Sequence, residues 1–401
     1  MTDLSFGPRL LALPGPTAVP ETVLQAMNRQ VIDIYDGELE RITDTLREDL
    51  KALFHAPNGR AYIYVANGHG GWEAALSNTL SRGDTVLVLD AGRFAVGWGE
   101  MGAAMGLKVE TLRGRERGAV DPDAVEQRLA QDDGRIKAVL VAQIDTASGA
   151  VSDIAAIRVA IDAAGHEALY MVDGVASIGC MPFRMEAWGV DLAMTGSQKG
   201  LMTPPGLAPL VAGPRALEAH KTADLRTKYW DWAEREGPLH YQKYCGTPPE
   251  HLLFGLRRAL DLLLKEEGLE ASWARHAALA SAVRAAIERW AEGGALEFNI
   301  LDPRARCDTV TPVRLGEGCD GAVIKTLADQ RFGVSLGTPI GEFKGPGGAF
   351  RIAHMGHASG GSIMGVLGAT EAAMRALRVP LGDGALAAAA TVLAEAVTPV
   401  G

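Results

Sequence analysis

Between residues 61 and 211 short, almost wholly apolar runs recur at 61–65, 85–89, 107–111, 138–142, 169–173, 190–195 and 207–211, separated by segments long enough for helices. Continuous apolar runs of this length read as strands buried on both faces, and their alternation with helices predicts a mostly parallel sheet covered by helices. An α/β fold with a seven-stranded sheet is therefore expected. After a polar, aromatic stretch at 221–244, apolar residues return at helical spacing in 250–267 and 270–290, which predicts two long helices. Beyond them 309–315, 333–336 and 349–353 read as strands, and 321–330 and 362–377 as helices. The expected organisation is an N-terminal segment (1–20), a large domain (21–269), a smaller C-terminal α+β domain (270–378) and a tail (379–401) whose last dozen residues are irregular.

Two of the strand ends carry chemistry. The run at 169–173 closes on Asp173, and the run at 190–195 leads into Gly196-Ser197-Gln198-Lys199-Gly200. A lone Asp there commonly caps a turn, and a lone Lys is commonly a solvated surface residue. The two lie 199 − 173 = 26 residues apart, room for a strand, a crossover and the next strand, so both can face one cleft at the carboxyl ends of the sheet. A lysine and an acid so placed are what pyridoxal phosphate chemistry needs: the amine forms a Schiff base with the cofactor aldehyde, and the acid pairs with the protonated pyridine nitrogen.

Asn67-Gly68-His69-Gly70-Gly71-Trp72-Glu73 follows the first strand and opens a helix, an arrangement that can cradle a phosphate. It is no dinucleotide fingerprint, because the third glycine position is Glu73, and it lacks a P-loop lysine. On its own it reads as a tight turn.

Composition narrows the class. The chain has 47% hydrophobic and 22% charged residues, as folded soluble proteins do, and its net charge of −10 argues against nucleic acid or an anionic membrane as the main partner. The start lacks the basic-then-apolar order of a secretory signal and no apolar run is long enough to span a bilayer, so a cytoplasmic location is expected. Cys180, Cys245, Cys307 and Cys319 are scattered without CxxC spacing, so neither a zinc knuckle nor a disulfide framework is indicated. The nine histidines suggest no metal site, and His354 and His357 are expected to steady the turn after Arg351.

Taken together and in order, Gly15-Pro16-Thr17, the Asn67 to Ala75 motif, Met171-Val172-Asp173-Gly174-Val175, Gly196 to Gly200 and Phe350-Arg351-Ile352-Ala353-His354-Met355-Gly356 resemble the class V aminotransferases of pyridoxal phosphate fold type I. The serine-glyoxylate and alanine-glyoxylate aminotransferases are the nearest group, and the likeness runs from about residue 10 to 378. It implies pyridoxal 5'-phosphate as cofactor, Lys199 as the Schiff-base lysine and Asp173 as the pyridinium partner. Val175 would pack beneath the ring, Phe94 would stack on its other face, and Thr146 would bond the ring's 3-oxygen. Gly68, His69, Gly70 and Gln198 would hold the phosphate, completed across a homodimer interface by Tyr244 and Thr247. Arg351 would grip the substrate carboxylate, with Gly15 and Tyr35 beside it and the N-terminal segment near the active site.

The reaction so implied moves an amino group from a small amino acid to a small 2-oxo acid. Two other activities stay open. Tyr35-Asp36, Asp145-Thr146-Ala147-Ser148-Gly149 and Pro204-Pro205-Gly206-Leu207 are similar to pyridoxamine-pyruvate aminotransferase, and Cys307 and Cys319 lie about where a cysteine desulfurase carries its persulfide cysteine.

Overall fold

The computed structural model describes residues 4–341 and 344–397. Seven strands form the central sheet in the spatial order Arg60–Val65, Leu207–Ala212, Leu192–Met194, Leu169–Asp173, Ile136–Ala142, Thr85–Asp90 and Lys108–Arg113. Leu207–Ala212 runs antiparallel to both neighbours, and every other pair is parallel. Parallel neighbours need crossovers, and helices supply them on both faces. The Ile136–Ala142 strand shows the consequence: Val139 and Val141 belong to the core on one face, Ala138 and Leu140 to the core on the other.

A third core lies apart from the sheet. An antiparallel sheet of Leu296–Phe298, Val310–Leu315 and Ala349–Ala353 packs Val313, Phe350 and Ile352 against Val283, Ile287 and Trp290 of the Leu269–Ala291 helix. Leu10–Ala12 forms a parallel pair with Val334–Leu336 and buries Ala12 in this core, so the N-terminal segment is tied to the C-terminal part of the chain.

The elements differ from expectation in four places. The 190–195 run is a strand only at Leu192–Met194, because Asp191 turns its carboxylate onto the Tyr170 amide and the Arg215 guanidinium, at 2.8 Å each. The helix starting at Glu250 is regular to Asp261, widens to a π-helical turn over Leu262–Glu266, and stops before Gly268, whose φ is +85°. The 221–244 stretch holds a short helix, Trp232–Arg235, and a 3-10 turn, His240–Tyr244. Of the last dozen residues, expected to be irregular, 390–395 belong to a helix over Ala385–Glu395, with Ala385 and Ala389 buried in the third core; its alanine run has the best intrinsic helix propensity. Residues 398–401 lie outside the described part. Among the described residues no helix is long and apolar enough to cross a membrane, and no cluster of three or more His, Cys, Asp or Glu could hold a metal ion.

Candidate active site

From Thr85–Asp90 the chain moves outward to the edge strand, then returns to Ile136–Ala142 on the other side. Ligands of open α/β sheets bind at such a reversal, outside the carboxyl ends of the strands. A cavity of about 240 Å³ lies there, and its walls include Phe94, Thr146, Asp173 and Lys199 from successive strand ends. A larger groove of about 560 Å³ opens at the amino ends, but its Arg158, Asp162, Asp191 and Arg215 are already joined in ion pairs.

Asp173 is 5% exposed, and its two oxygens accept from Val175 N at 2.7 Å and Trp72 Nε1 at 2.8 Å. Burial pushes its carboxyl up to about 6, against the pull of these two donors and of Lys199. Lys199 sits in a turn fixed by Ser197, whose amide donates to Leu207 O at 2.9 Å and whose hydroxyl donates to Pro204 O at 2.7 Å. Its Nζ donates to the carbonyl of Pro14. Burial pushes the ammonium down to about 8 and Arg351 acts in the same sense, while Asp173, Cys180 and Asp145 oppose. Gly15 closes over this lysine with a φ of +96°, and a Cβ there would stand 2.5 Å from Lys199 Cε.

Arg351 occupies the middle of Ala349–Ala353. Its neighbours Phe350 and Ile352 point into the third core, so alternation turns Arg351 to the other face, where it lines the cavity. Nη1 donates to Thr146 O at 2.7 Å, and Nε is buried without a partner. Burial lowers its pKa to about 10, opposed by Asp145. On the opposite wall Asn67 caps the Gly68–Thr79 helix by accepting from His69 N at 3.1 Å, and Gly68 and His69 present the helix's positive end to the cavity. Burial, aided by Arg93, pushes the His69 imidazole below its ordinary value.

Residues 10–343 match the family model described as aminotransferase class-V. The chain belongs to the class V aminotransferases. It is 39% identical over 395 residues to a serine-glyoxylate aminotransferase of Methylorubrum extorquens, covering 96% of each chain. It is 38% identical over 379 residues to an L-aspartate-glyoxylate aminotransferase of Paracoccus denitrificans, covering 94% of each. The solved pyridoxamine-pyruvate aminotransferase of Mesorhizobium loti superposes with a TM-score of 0.87 at 30% identity, over 97% of this chain and 98% of that one.

Class V aminotransferases work with pyridoxal phosphate, and the cavity fits that cofactor. Asp173 is a buried anion with no ion-pair partner among the described residues, as a site for a pyridinium requires. Arg351 Nε is a buried donor without a partner in the same cavity, and a bound carboxylate would supply the acceptor it lacks. Gly68 leaves room for Val175, whose Cγ2 would stand 2.9 Å from a Cβ at that position.

Of the residues singled out by sequence, Gly15, Gly68, His69, Phe94, Thr146, Asp173, Val175, Gln198, Lys199 and Arg351 all line this one cavity. Gly70 does not; it packs behind the wall, where a Cβ would meet Ala66 at 2.5 Å. Tyr35 is 63% exposed and lies edge-on to Tyr241 at 5.9 Å. Tyr244 is buried with its hydroxyl held by Thr43 at 2.8 Å, which turns that group inward within its own subunit, and Thr247 is exposed. The desulfurase reading is corrected. Cys307 is fully buried with Sγ 3.2 Å from Val310 O, Cys319 lies before the Gly321–Phe332 helix, and neither lines the cavity. Burial pushes both thiols up, opposite to what a sulfur nucleophile needs. His354 holds Thr311 Oγ1 and Asp308 O at 3.0 Å each, a structural role as expected.

Two residues of the site escaped sequence reasoning. Trp72 was visible as part of a motif but not as the donor to Asp173. Asp145 was visible as a carboxylate after a strand, yet nothing local shows that it is fully buried beneath the cavity wall.

Proposed function

We propose that this enzyme transfers the amino group of a small amino acid, of the serine or alanine type, to a small 2-oxo acid such as glyoxylate or pyruvate, with pyridoxal phosphate held on Lys199. The observation that carries the reading is that Lys199, Asp173 and Arg351, from three distant segments, converge on one cavity. The glyoxylate specificity named for the Methylorubrum relative supports the acceptor class.

When bound, the cofactor supplies a carbonyl that takes up the amino group and a ring that withdraws electrons from the substrate's Cα. Asp173 keeps the proton on the ring nitrogen by offering a carboxylate already fixed by Val175 and Trp72. Phe94 and Val175 would flank the ring, Thr146 would offer its hydroxyl to the ring oxygen, and Gly68, His69 and Gln198 would hold the phosphate, whereas Gly70, behind the wall, would shape the loop without reaching it. Arg351 orients the substrate carboxylate with the guanidinium edge that Thr146 leaves free. Lys199, lowered to about 8, is unprotonated often enough near neutral pH to move the proton from Cα.

Residues 21–269 would then form the cofactor domain and 270–378 the domain that brings Arg351. Exposed Tyr35 and Thr247 lie outside their own cavity, which agrees with a homodimer whose active sites sit at the interface. Four free cysteines suit the reducing cytoplasm.

The test is the visible absorption of the purified holoenzyme during single additions of L-serine, L-alanine or L-aspartate, each followed by glyoxylate or pyruvate. Loss of the chromophore band with an amino acid and its return with an oxo acid identify the substrate pair. The likeness to the Mesorhizobium enzyme favours a second reading, in which unphosphorylated pyridoxamine is the amino donor. Turnover of pyridoxamine with pyruvate by cofactor-free protein would establish it; absence of any chromophore after adding pyridoxal phosphate would end the first reading, and absence of pyridoxamine turnover the second.

A further inference from the structure

The Arg93–Met105 helix, whose first turn carries Phe94, starts after Gly92, a residue with no side chain to cap it. The missing cap comes from elsewhere in the chain. Asp145 Oδ2 accepts from Phe94 N at 2.7 Å and Ala95 N at 3.4 Å, the second and third amides of that helix, where a local N-cap side chain would bond. Gly92 makes this possible, since a Cβ there would lie 2.3 Å from Asp145 Cγ. The other oxygen, Oδ1, accepts from Ala147 N at 2.9 Å and Ser148 N at 3.3 Å, and so fixes the turn that holds Thr146. The Thr146 carbonyl in turn receives Arg351 Nη1 at 2.7 Å. Asp145 is fully buried, and among the described residues no cation comes within ion-pair distance of it.

One anion therefore underlies three groups of the cavity wall that belong to three segments. We infer that Asp145 is a positioning residue of the active site: it caps the Phe94 helix from a distant strand end and holds the ring-stacking, ring-hydroxyl and carboxylate-binding side chains in one arrangement. It touches neither cofactor nor substrate and acts through Phe94, Thr146 and Arg351. Four amide donors match a carboxylate and not a carboxamide, because an amide in its place would turn an NH2 toward two of the donors. Burial raises the Asp145 carboxyl and the four amides oppose that rise, while Asp145 works against the burial that lowers Arg351. The inference rests on the reading that this cavity takes pyridoxal phosphate.

The test compares Asp145→Asn with Asp191→Asn. Asp191 is likewise a buried carboxylate holding a backbone amide, that of Tyr170 at 2.8 Å, but lies outside the cavity. Each variant is measured for melting temperature, for the dissociation constant of pyridoxal phosphate from the cofactor-free protein, for the near-ultraviolet and visible circular dichroism of the bound chromophore, and for KM and kcat. Asp145→Asn is expected to weaken cofactor binding and raise the amino-donor KM by at least tenfold each, to alter the chromophore's dichroism, and to change kcat by less than threefold. Asp191→Asn should lower the melting temperature with none of these changes. If Asp145→Asn does not fold, Gly92→Ala, which keeps the charge and crowds the carboxylate, must show the same split. Unchanged affinity and KM, losses equal to those of Asp191→Asn, or failure of both Asp145→Asn and Gly92→Ala to fold would overturn the inference and leave Asp145 a purely structural cap. Failure of the wild-type protein to bind pyridoxal phosphate would instead overturn the reading beneath it.

Discussion

Replacing Trp72 by Phe keeps an aromatic ring beside His69 and Trp98 but deletes the Nε1–H that donates to Asp173 at 2.8 Å. A hydrogen bond to a charged group is worth about 1.5–3 kcal/mol, and at about 1.36 kcal/mol per tenfold its loss favours protonated Asp173 by roughly ten- to a hundredfold. Burial already raises this carboxyl from 3.8 to about 6. In the cofactor-free protein a raised carboxyl means that the folded state binds the extra proton across that window, so its stabilising effect is present at low pH and is lost as pH rises through about 6. In Trp72→Phe the upper edge of the window moves upward. The assay is the dissociation constant of pyridoxal phosphate, followed by absorbance from about pH 5 to 8.5. If Asp173 is the ring nitrogen's partner, as proposed, it pairs only when ionised, so wild-type affinity should fall on the acid side of about pH 6, and the variant's fall should begin roughly one to two pH units higher. The free cofactor's phosphate titrates near the same pH, about 6, but does so equally for both proteins, so the difference between the curves reports Asp173. Superposable acid limbs, or a loss of affinity equal at every pH, would refute the assignment of the indole N–H as a determinant of the Asp173 charge.

Lys199→Ala should abolish transamination in the spectral assay while the protein stays folded. Because the lysine is lowered from 10.5 to about 8, wild-type cofactor-free protein should gain about 3 kcal/mol of stability to urea relative to Lys199→Ala as pH rises from about 8 to 10.5, and lose it again as pH falls back through about 8. Arg351→Lys retains charge but not the two-pronged edge, and steady-state kinetics should show KM for both amino donor and oxo acid up by about ten- to a hundredfold, the worth of a charged hydrogen bond, with kcat less affected. Gly15→Ala forces a side chain onto a φ of +96° and against Lys199, and denaturant titration should show a loss of at least about 1–2 kcal/mol together with weaker cofactor binding. Cys319→Ala should leave transamination unchanged, and neither it nor the wild type should release sulfide from L-cysteine.

The sheet was legible because strands buried on both faces leave continuous apolar runs, and Leu169–Asp173 matches its run end for end. The Glu38–Leu53 helix carries an equally plain signal, with Leu39, Leu46, Leu50 and Leu53 buried on one face, in a region where the strand pattern had not begun. The Ala385–Glu395 helix was lost for a different reason: alanine is too small to mark a buried face, so its periodicity is faint even where its propensity is high. Lys199 and Asp173 could be found because a strand end is a local feature and the topology of parallel sheets puts strand ends together. Trp72 and Asp145 could not, since the first acts on a carboxylate 101 residues away and the second caps a helix whose amides lie 50 and 51 residues back. The Thr43 contact of the Tyr244 hydroxyl was hidden for the same reason, its partner lying 201 residues distant.

These cases share a physical cause. The reacting groups are set by residue type and by position on an element, both written locally, whereas their ionisation is set by what is packed around them. Lys199 is pushed down toward neutral pH because Pro14, Gly15 and Arg351, from both ends of the chain, enclose it, and Asp173 at a strand end has its charge tuned by an indole from the Gly68–Thr79 helix. A class V sequence that kept the lysine and the acid but lost Trp72 or Asp145 would still read as an aminotransferase, while its cofactor affinity and its pH dependence would differ. The variants at these two positions therefore test the part of the mechanism that motif matching does not reach.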